Sequence, residues 1–109
     1  MGLGGMKYAW QRQTKDFGHA QGDKYSCLVY DHRGIGDSDK PRGRYSTSEM
    51  AKDVIEVIDH LGWTDNRQLH VIGISMGGMI AQEVVSLSLH ICFESCTTYA
   101  SSSPHFCVR

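Results

Sequence analysis

One motif constrains the fold of this chain more than any other feature of its sequence. Residues Gly73–Gly77 read Gly-Ile-Ser-Met-Gly, and Gly78 follows directly. The motif ends the short apolar run Leu69–Ile74, which is typical of a buried strand, and it precedes helix-forming residues at 79–85. Because glycines remove side chains that would clash in a sharp turn, the pattern predicts a strand, a tight turn at Ser75 and a helix.

The segments upstream of this motif also alternate between strand and helix patterns. The run Tyr25–Tyr30 is rich in strand-forming residues. Ser46, followed three residues later by Glu49, is a capping box, and apolar residues then recur at helical spacing, so we predict an amphipathic helix over 47–61. A shorter helix is predicted within 8–21. This order of elements indicates an α/β fold with a mostly parallel sheet and crossover helices.

Composition and charge disfavour several classes of function. The 109 residues suffice for one small domain, and the 11 Lys and Arg residues nearly balance the 12 Asp and Glu residues. This balance gives no electrostatic basis for binding nucleic acid. No apolar run approaches the ~20 residues of a membrane-spanning helix, and the first residues lack a signal-peptide pattern, so we expect a cytoplasmic protein with reduced thiols.

Ser75 is the candidate catalytic residue. A serine hydroxyl is a poor nucleophile at neutral pH, because it needs a base that takes its proton and donors that stabilise the developing oxyanion. A strained junction between a strand and a helix exposes such a serine and sets the backbone N–H of Met76 at the positive end of the helix. The motif therefore predicts a nucleophile elbow with Met76 N–H as one oxyanion donor. The glycines of this elbow are Gly73, Gly77 and Gly78.

Other interpretations of these residues fit less well. A Gly-Ser-Gly turn can simply join a strand to a helix, which is the structural alternative to catalysis. A phosphate-binding loop would need Gly-Lys-Ser/Thr or G-x-G-x-x-G, and the glycines match neither pattern. Cys92 and Cys96, with His90 and His105 nearby, match no standard zinc spacing, so neither a metal nor an organic cofactor is predicted. Cys27 is expected to be a small buried side chain.

Two further motifs precede the Gly-x-Ser-x-Gly sequence. Met1–Gly5 reads Met-Gly-Leu-Gly-Gly, and Asp31–Ser38 reads Asp-His-Arg-Gly-Ile-Gly-Asp-Ser. In this order the three motifs resemble the α/β-hydrolase fold family, above all its esterase-, lipase- and haloperoxidase-like members. The resemblance covers residues 1 to about 85, and it implies a hydrolase with Ser75 as the nucleophile. Because Ser rather than Asp occupies that position, the epoxide hydrolase and haloalkane dehalogenase branches are disfavoured.

The resemblance also implies roles for residues outside the elbow. In the family, the residue after a His-Gly pair supplies the second oxyanion donor, which here corresponds to the backbone N–H of Leu3, after Gly2. Met1 stands where His is common. Asp31 and Arg33 correspond to family positions that hold a loop beside the elbow, so we expect them to be structural.

The residues after Ser75 do not complete a catalytic triad at the family's spacing. The family order is Ser, then Asp or Glu, then His. No Asp follows Ser75, and Ser75, Glu94 and His105 satisfy the order with too few residues between the last two for the expected crossover. Residues 85–89 are predicted to form a strand that arrives early.

We therefore predict a partial, truncated α/β-hydrolase domain over 1–85, with a divergent or disordered tail over 86–109. As an N-terminal fragment it would be marginally stable on its own.

Three functional hypotheses follow. The first is a serine hydrolase that cleaves a carboxylic ester or a related acyl bond of a small molecule. The second is a catalytically inactive fragment or pseudoenzyme, because the sequence supplies no acid and base at the family's spacing. The third is a cofactor-free perhydrolase, which would use the same serine with peroxide as the acyl acceptor.

Overall fold

The computed structural model describes residues 2–88, together with the backbone of two strands at 92–98 and 106–108. The first helical segment, residues 7–20, begins as a 3-10 turn at Lys7–Trp10, continues as α1 at Gln11–Gln13 and ends as a π-helical stretch at Thr14–Ala20. The other elements in chain order are β1, Cys27–Leu28; α2, Thr47–His60; β2, Leu69–Ile74; α3, Met76–Leu87; β3, Cys92–Thr98; and β4, Phe106–Val108.

The four strands form one sheet in the order β1-β4-β2-β3. Strands β2 and β3 are parallel, and α3 connects them in sequence. Strand β4 is antiparallel to both β1 and β2, so β1, β2 and β3 all run in the same direction. The protein therefore has the α/β architecture that the sequence predicts, with three of the four described strands running in one direction and the antiparallel β4 lying between β1 and β2.

The larger hydrophobic core lies between one face of the sheet and helices α2 and α3. Leu28 and Tyr30 pack against it from the β1 side of the sheet. Burying one aliphatic side chain is worth roughly 1.5–3 kcal/mol, so this face supplies the larger share of hydrophobic stabilisation. Its buried residues are Met50, Ala51, Val54, Ile58, Leu69, Val71, Ile80, Ala81 and Val84.

A second, smaller cluster covers the opposite face of the sheet. Trp10, on the first helical segment, is only 3% exposed. Cys27, Val29 and Ile72 pack against it from the sheet side, and Phe17 and Tyr25 complete the cluster. The sheet therefore lies between two helical layers, as alternation of side chains along β1 and β2 requires.

The helix predicted over 47–61 is confirmed as α2. Its N-cap is Ser46, whose side-chain oxygen accepts the backbone N–H of Glu49 at 3.1 Å, as a capping box requires. Gly62 follows the helix with a φ of 69°, a left-handed conformation that glycine adopts without strain. The helix predicted within 8–21 and the strand at Leu69–Ile74 are also present.

Two strand predictions need correction. The run Tyr25–Tyr30 forms only the two-residue strand β1, whose partner β4 is itself three residues long. The interpretation of 85–89 as a strand is wrong, because residues 85–87 form the last turn of α3 and the N–H of Ser88 bonds the carbonyl of Val84 at 2.9 Å. The valines continue the helical spacing of the buried face, whereas Leu89 lies outside the described residues.

Strands β3 and β4 both lie within 86–109. A domain boundary near residue 85 stays a prediction. Within the described part of the chain, no helix is long and apolar enough to cross a bilayer.

Candidate active site

Ser75 occupies the turn between β2 and α3. Its φ of 57° and ψ of −130° lie outside the regions that L-residues ordinarily populate, and its side chain is exposed. Such a conformation costs on the order of 1–3 kcal/mol, so the surrounding packing must hold it in place. The backbone N–H of Gly78 donates to the Ser75 carbonyl at 2.8 Å, which starts α3 immediately after the turn.

Gly73 explains how the turn can be so tight. A side-chain carbon added there would overlap the carbonyl of Gly77 and come within 2.9 Å of Ala81 Cβ. Gly78 is less constrained, since an added carbon would lie 3.4 Å from the Gly73 carbonyl oxygen. The strand end and the first turn of the helix are therefore in direct backbone contact beneath Ser75.

The loop Gly2–Met6, called the first loop below, passes beside this serine. A side-chain carbon added at Gly2 would lie 3.7 Å from Ser75 Cβ and 3.8 Å from Ser75 Oγ. Leu3 is 88% exposed, and the N–H of Gly5 closes a turn on the Gly2 carbonyl at 3.1 Å. The structure thus brings Gly2 to Ser75, and the oxyanion roles of the Leu3 and Met76 N–H groups stay predictions.

Asp31 anchors both the first loop and the segment Asp31–Ser38, to which it belongs. Its carboxylate accepts the backbone N–H of Lys7 at 2.6 Å and that of Asp37 at 3.4 Å, and the Lys7 ammonium lies 3.3 Å away. Burial opposes ionisation of this carboxyl, but these donors outweigh it and hold the pKa of Asp31 below its ordinary value. The carboxylate therefore remains charged in its buried position.

His32, directly after Asp31, is also buried, with 5% of its surface exposed. Its Nδ1 lies 3.2 Å from the hydroxyl of Tyr30, and the two rings meet edge to face with centroids 4.9 Å apart. Burial disfavours the charged imidazolium and lowers the pKa of His32 to about 4. The imidazole is therefore neutral at physiological pH.

Arg33 ties the same loop to α2. Its guanidinium makes a two-pronged bond to Asp53, with Nε and Nη2 at 2.7 and 2.6 Å from the two carboxylate oxygens. The pair raises the pKa of Arg33, and Glu49 lies 3.9 Å from Nη1. A planar guanidinium suits this geometry, which lysine could not reproduce.

A further bond joins the helix that follows Ser75 to the start of α2. The hydroxyl of Thr47 donates to Glu83 at 2.5 Å. Bonds from the hydroxyls of Ser48 and Thr47 lower the pKa of Glu83. This contact holds the two core helices together at one end.

Sequence reasoning missed several partners of the site. No sequence motif marks Lys7, Asp53 or Glu83, because their roles depend on contacts with residues 20 or more positions away along the chain.

Cys27 is half-buried and free, and burial raises the pKa of its thiol.

Other candidates fall outside the described residues. His90 and His105 are among them, as are the side chains of Cys92, Glu94 and Cys96. Among the described residues there is no group of three side chains that could hold a metal ion.

Comparison with known proteins places this chain in a family. A model of the alpha/beta hydrolase fold matches residues 1–105. RutD of Caulobacter segnis, provisionally named a carbamate hydrolase, is 40% identical over 71% of this chain and 27% of its own length. The 3-oxoadipate enol-lactonase 2 of Acinetobacter baylyi is 41% identical over 67% of this chain and 25% of its own.

Epoxide hydrolase 1 of Caenorhabditis elegans is 37% identical over 68% of this chain and 17% of its own length. The chain thus spans about a quarter or less of the length of these relatives. No solved structure gives a significant match. The family model covers nearly the whole sequence and includes all three motifs, so the chain belongs to the α/β-hydrolase fold family.

Proposed function

We propose that this protein is a serine hydrolase that attacks a carboxylic ester or a related acyl bond with Ser75. A general base would take the hydroxyl proton of Ser75 as Oγ adds to the carbonyl carbon. The resulting tetrahedral oxyanion would be stabilised by the backbone N–H groups of Met76 and Leu3, and the base would return the proton to the leaving group. Loss of the alcohol or amine would leave an acyl-serine, and water would then release the acid.

The backbone conformation of Ser75 carries this proposal. A non-glycine residue with a φ of 57° and a ψ of −130° is strained, and it persists only where the surrounding structure holds it. Here the strain presents an exposed hydroxyl at the N-terminus of α3, where the helix dipole favours developing negative charge. Gly2 leaves the space beside the serine free of a side chain, and Gly73 permits the tight turn beneath it, which supports the same function.

The relatives support a small-molecule substrate with an acyl group. The names of two of them refer to a carbamate and an enol-lactone, and both compounds contain a carbonyl carbon bonded to a leaving heteroatom. A third is named for epoxides, which lack that carbonyl. Because this chain has Ser at position 75, we favour acyl chemistry over epoxide opening.

A catalytically inactive protein is the second candidate. No Asp follows Ser75 in the sequence, and the histidines that follow it, His90 and His105, lie outside the described residues. A serine without a base has little nucleophilic power. An inactive relative that keeps the fold is therefore tested alongside the hydrolase.

Labelling with a fluorophosphonate probe discriminates between the two candidates, because the probe reacts with activated serines. We expect one adduct on the folded chain, mapped by mass spectrometry to Ser75 and absent from Ser75→Ala. Ser86→Ala is the matched control, since it removes an exposed hydroxyl at the other end of α3. A folded chain that forms no adduct at Ser75 and does not turn over p-nitrophenyl acetate would reject the hydrolase in favour of the inactive protein.

A further inference from the structure

We infer that Asp31 is a positioning residue for the first loop, which it holds beside Ser75 through the backbone N–H of Lys7. The catalytic consequence of this tether rests on the proposed function of Ser75, whereas the tether itself can be tested without it. The resemblance to the family implies only that Asp31 holds a loop beside the elbow, whereas the contact with Lys7 identifies that loop as the one that carries Leu3.

The bond between Asp31 and Lys7 links the end of the first loop to the rest of the site. Lys7 is the first residue of the first helical segment, so the loop ends at the point where its N–H meets Asp31 Oδ1 at 2.6 Å. A charged acceptor roughly doubles the strength of such a bond. The Lys7 ammonium adds a second contact, 3.3 Å from Asp31 Oδ2.

The first loop runs from beside Ser75 at one end to the residue that Asp31 binds at the other. Gly2 lies beside Ser75, Lys7 is held by Asp31, and only residues 3–6 separate them. The bond between Gly5 N–H and the Gly2 carbonyl makes this short segment a closed turn rather than a slack connection. A displacement of Lys7 will therefore pass to Gly2 and Leu3 instead of being absorbed between them.

The surroundings of Asp31 are shaped for a carboxylate at this position. Gly36 has a φ of 52°, and a side-chain carbon added there would overlap the Asp31 carboxylate. The hydroxyl of Ser38 donates to the Asp31 carbonyl at 2.5 Å and fixes its backbone. Since Asp31 is only 5% exposed, water cannot readily replace it as the acceptor for Lys7.

Precise placement of the first loop matters for the proposed chemistry. An oxyanion donor acts when it lies about 2.7–3.1 Å from the developing charge, and a misplacement of ~1 Å can reduce the rate about 100-fold. Without the bond between Lys7 and Asp31, the first loop would lose this placement. Asp31 would thus act on the reaction through Leu3, without touching the substrate.

The first test is spectroscopic and needs no activity. In the full chain, the amide proton of Lys7 should shift with the ionisation of Asp31, with a midpoint below the ordinary range for Asp, because the pKa of Asp31 is lowered. In Asp31→Asn the titration should vanish. A Lys7 amide resonance that does not titrate in the wild-type chain would overturn the inference.

The second test compares hydrogen exchange at backbone amides of the wild-type chain with that of Asp31→Asn, Asp31→Ala and Lys7→Met. Asp31→Asn retains an acceptor oxygen and should keep exchange at the Lys7 amide within about threefold of wild type. Asp31→Ala should raise it at least tenfold and raise it in residues 3–6 as well, while amides of α2 change less. Lys7→Met removes only the ammonium and should stay close to wild type.

These variants separate a local tether from general stabilisation. If Asp31→Ala changes exchange equally throughout the chain, or if Asp31→Asn behaves like Asp31→Ala, Asp31 is a structural residue and the inference fails. The exchange is measured under conditions where each variant is folded, as judged by its urea transition.

The third test links the tether to Ser75. The fluorophosphonate probe should label Ser75 in Asp31→Ala at least ten times more slowly than in Asp31→Asn. Equal labelling rates would refute the positioning role. If the wild-type chain is not labelled at all, the proposed function fails, and the tether is then judged by the titration and exchange results alone.

Discussion

Acidification should destabilise this protein through His32, in a pH window that the structure defines. Burial lowers the pKa of His32 from 6.5 to about 4 in the folded state. Between these values the unfolded chain binds a proton that the folded chain excludes, so the free energy of unfolding falls as the pH drops. Above pH 6.5 both states are neutral at this residue, and below about pH 4 both are charged, so the effect is confined to the interval between them.

The size of the effect follows from the same two pKa values. They differ by about 2.5, and each pH unit between them contributes about 1.4 kcal/mol, which gives roughly 3 kcal/mol in total. Small domains are stabilised by only about 5–15 kcal/mol, so this loss is a large part of the whole. Asp31 affects stability in a separate pH range. Because its pKa is lowered in the folded state, its contribution to the free energy of unfolding is present above pH 3.8 and is lost as the pH falls below that value.

The assay is urea unfolding, followed by circular dichroism between pH 7.5 and 4.5. The wild-type free energy of unfolding should decline below pH 6.5, whereas His32→Gln, which keeps a polar partner for Tyr30, should show a much flatter profile. His60→Gln removes an exposed histidine at the end of α2 and is the matched control. If His32→Gln and the wild type lose stability with the same slope between pH 6.5 and 5, the argument from burial is refuted.

Substitutions at three further positions test the local geometry by their urea midpoints. Ser46→Ala removes the acceptor for the Glu49 N–H and should reduce the free energy of unfolding by about 1 kcal/mol, which Ser46→Asp should restore. Gly73→Ala places a carbon against the Gly77 carbonyl and should reduce it by about 1–3 kcal/mol or more. Gly78→Ala has more space and should change it by less than about 1 kcal/mol, so equal losses at the two glycines would contradict the contact geometry.

Much of the fold could be predicted because its signals are local. The capping box at Ser46 and the spacing of apolar residues define α2, and the mostly apolar run Leu69–Ile74 defines β2. The turn at Ser75 could be placed because the glycines that permit it lie within three residues of it. Each of these features depends on neighbours in sequence, which is the information that a single chain provides.

The rest could not be predicted, because it depends on partners that are distant in sequence. Nothing near Lys7 indicates that its N–H will meet Asp31, and nothing near Arg33 indicates Asp53. The error at residues 85–87 has a different cause. Valine and leucine suit either a strand or a buried helix, so a short apolar run cannot distinguish the two, and here α3 simply continued.

The apolar character of both faces of the sheet has a consequence for how its strands align. A strand with one apolar and one polar face resists a one-residue shift against its neighbour, because the shift would turn its apolar side chains to the polar face. Here Cys27 and Val29 meet one core while Leu28 and Tyr30 meet the other, so hydrophobicity alone gives a slipped alignment little penalty. The close contact between Gly73 and the Gly77 carbonyl ties β2 to α3, so a shift of β2 along its neighbouring strands would carry Ser75 and the start of α3 with it.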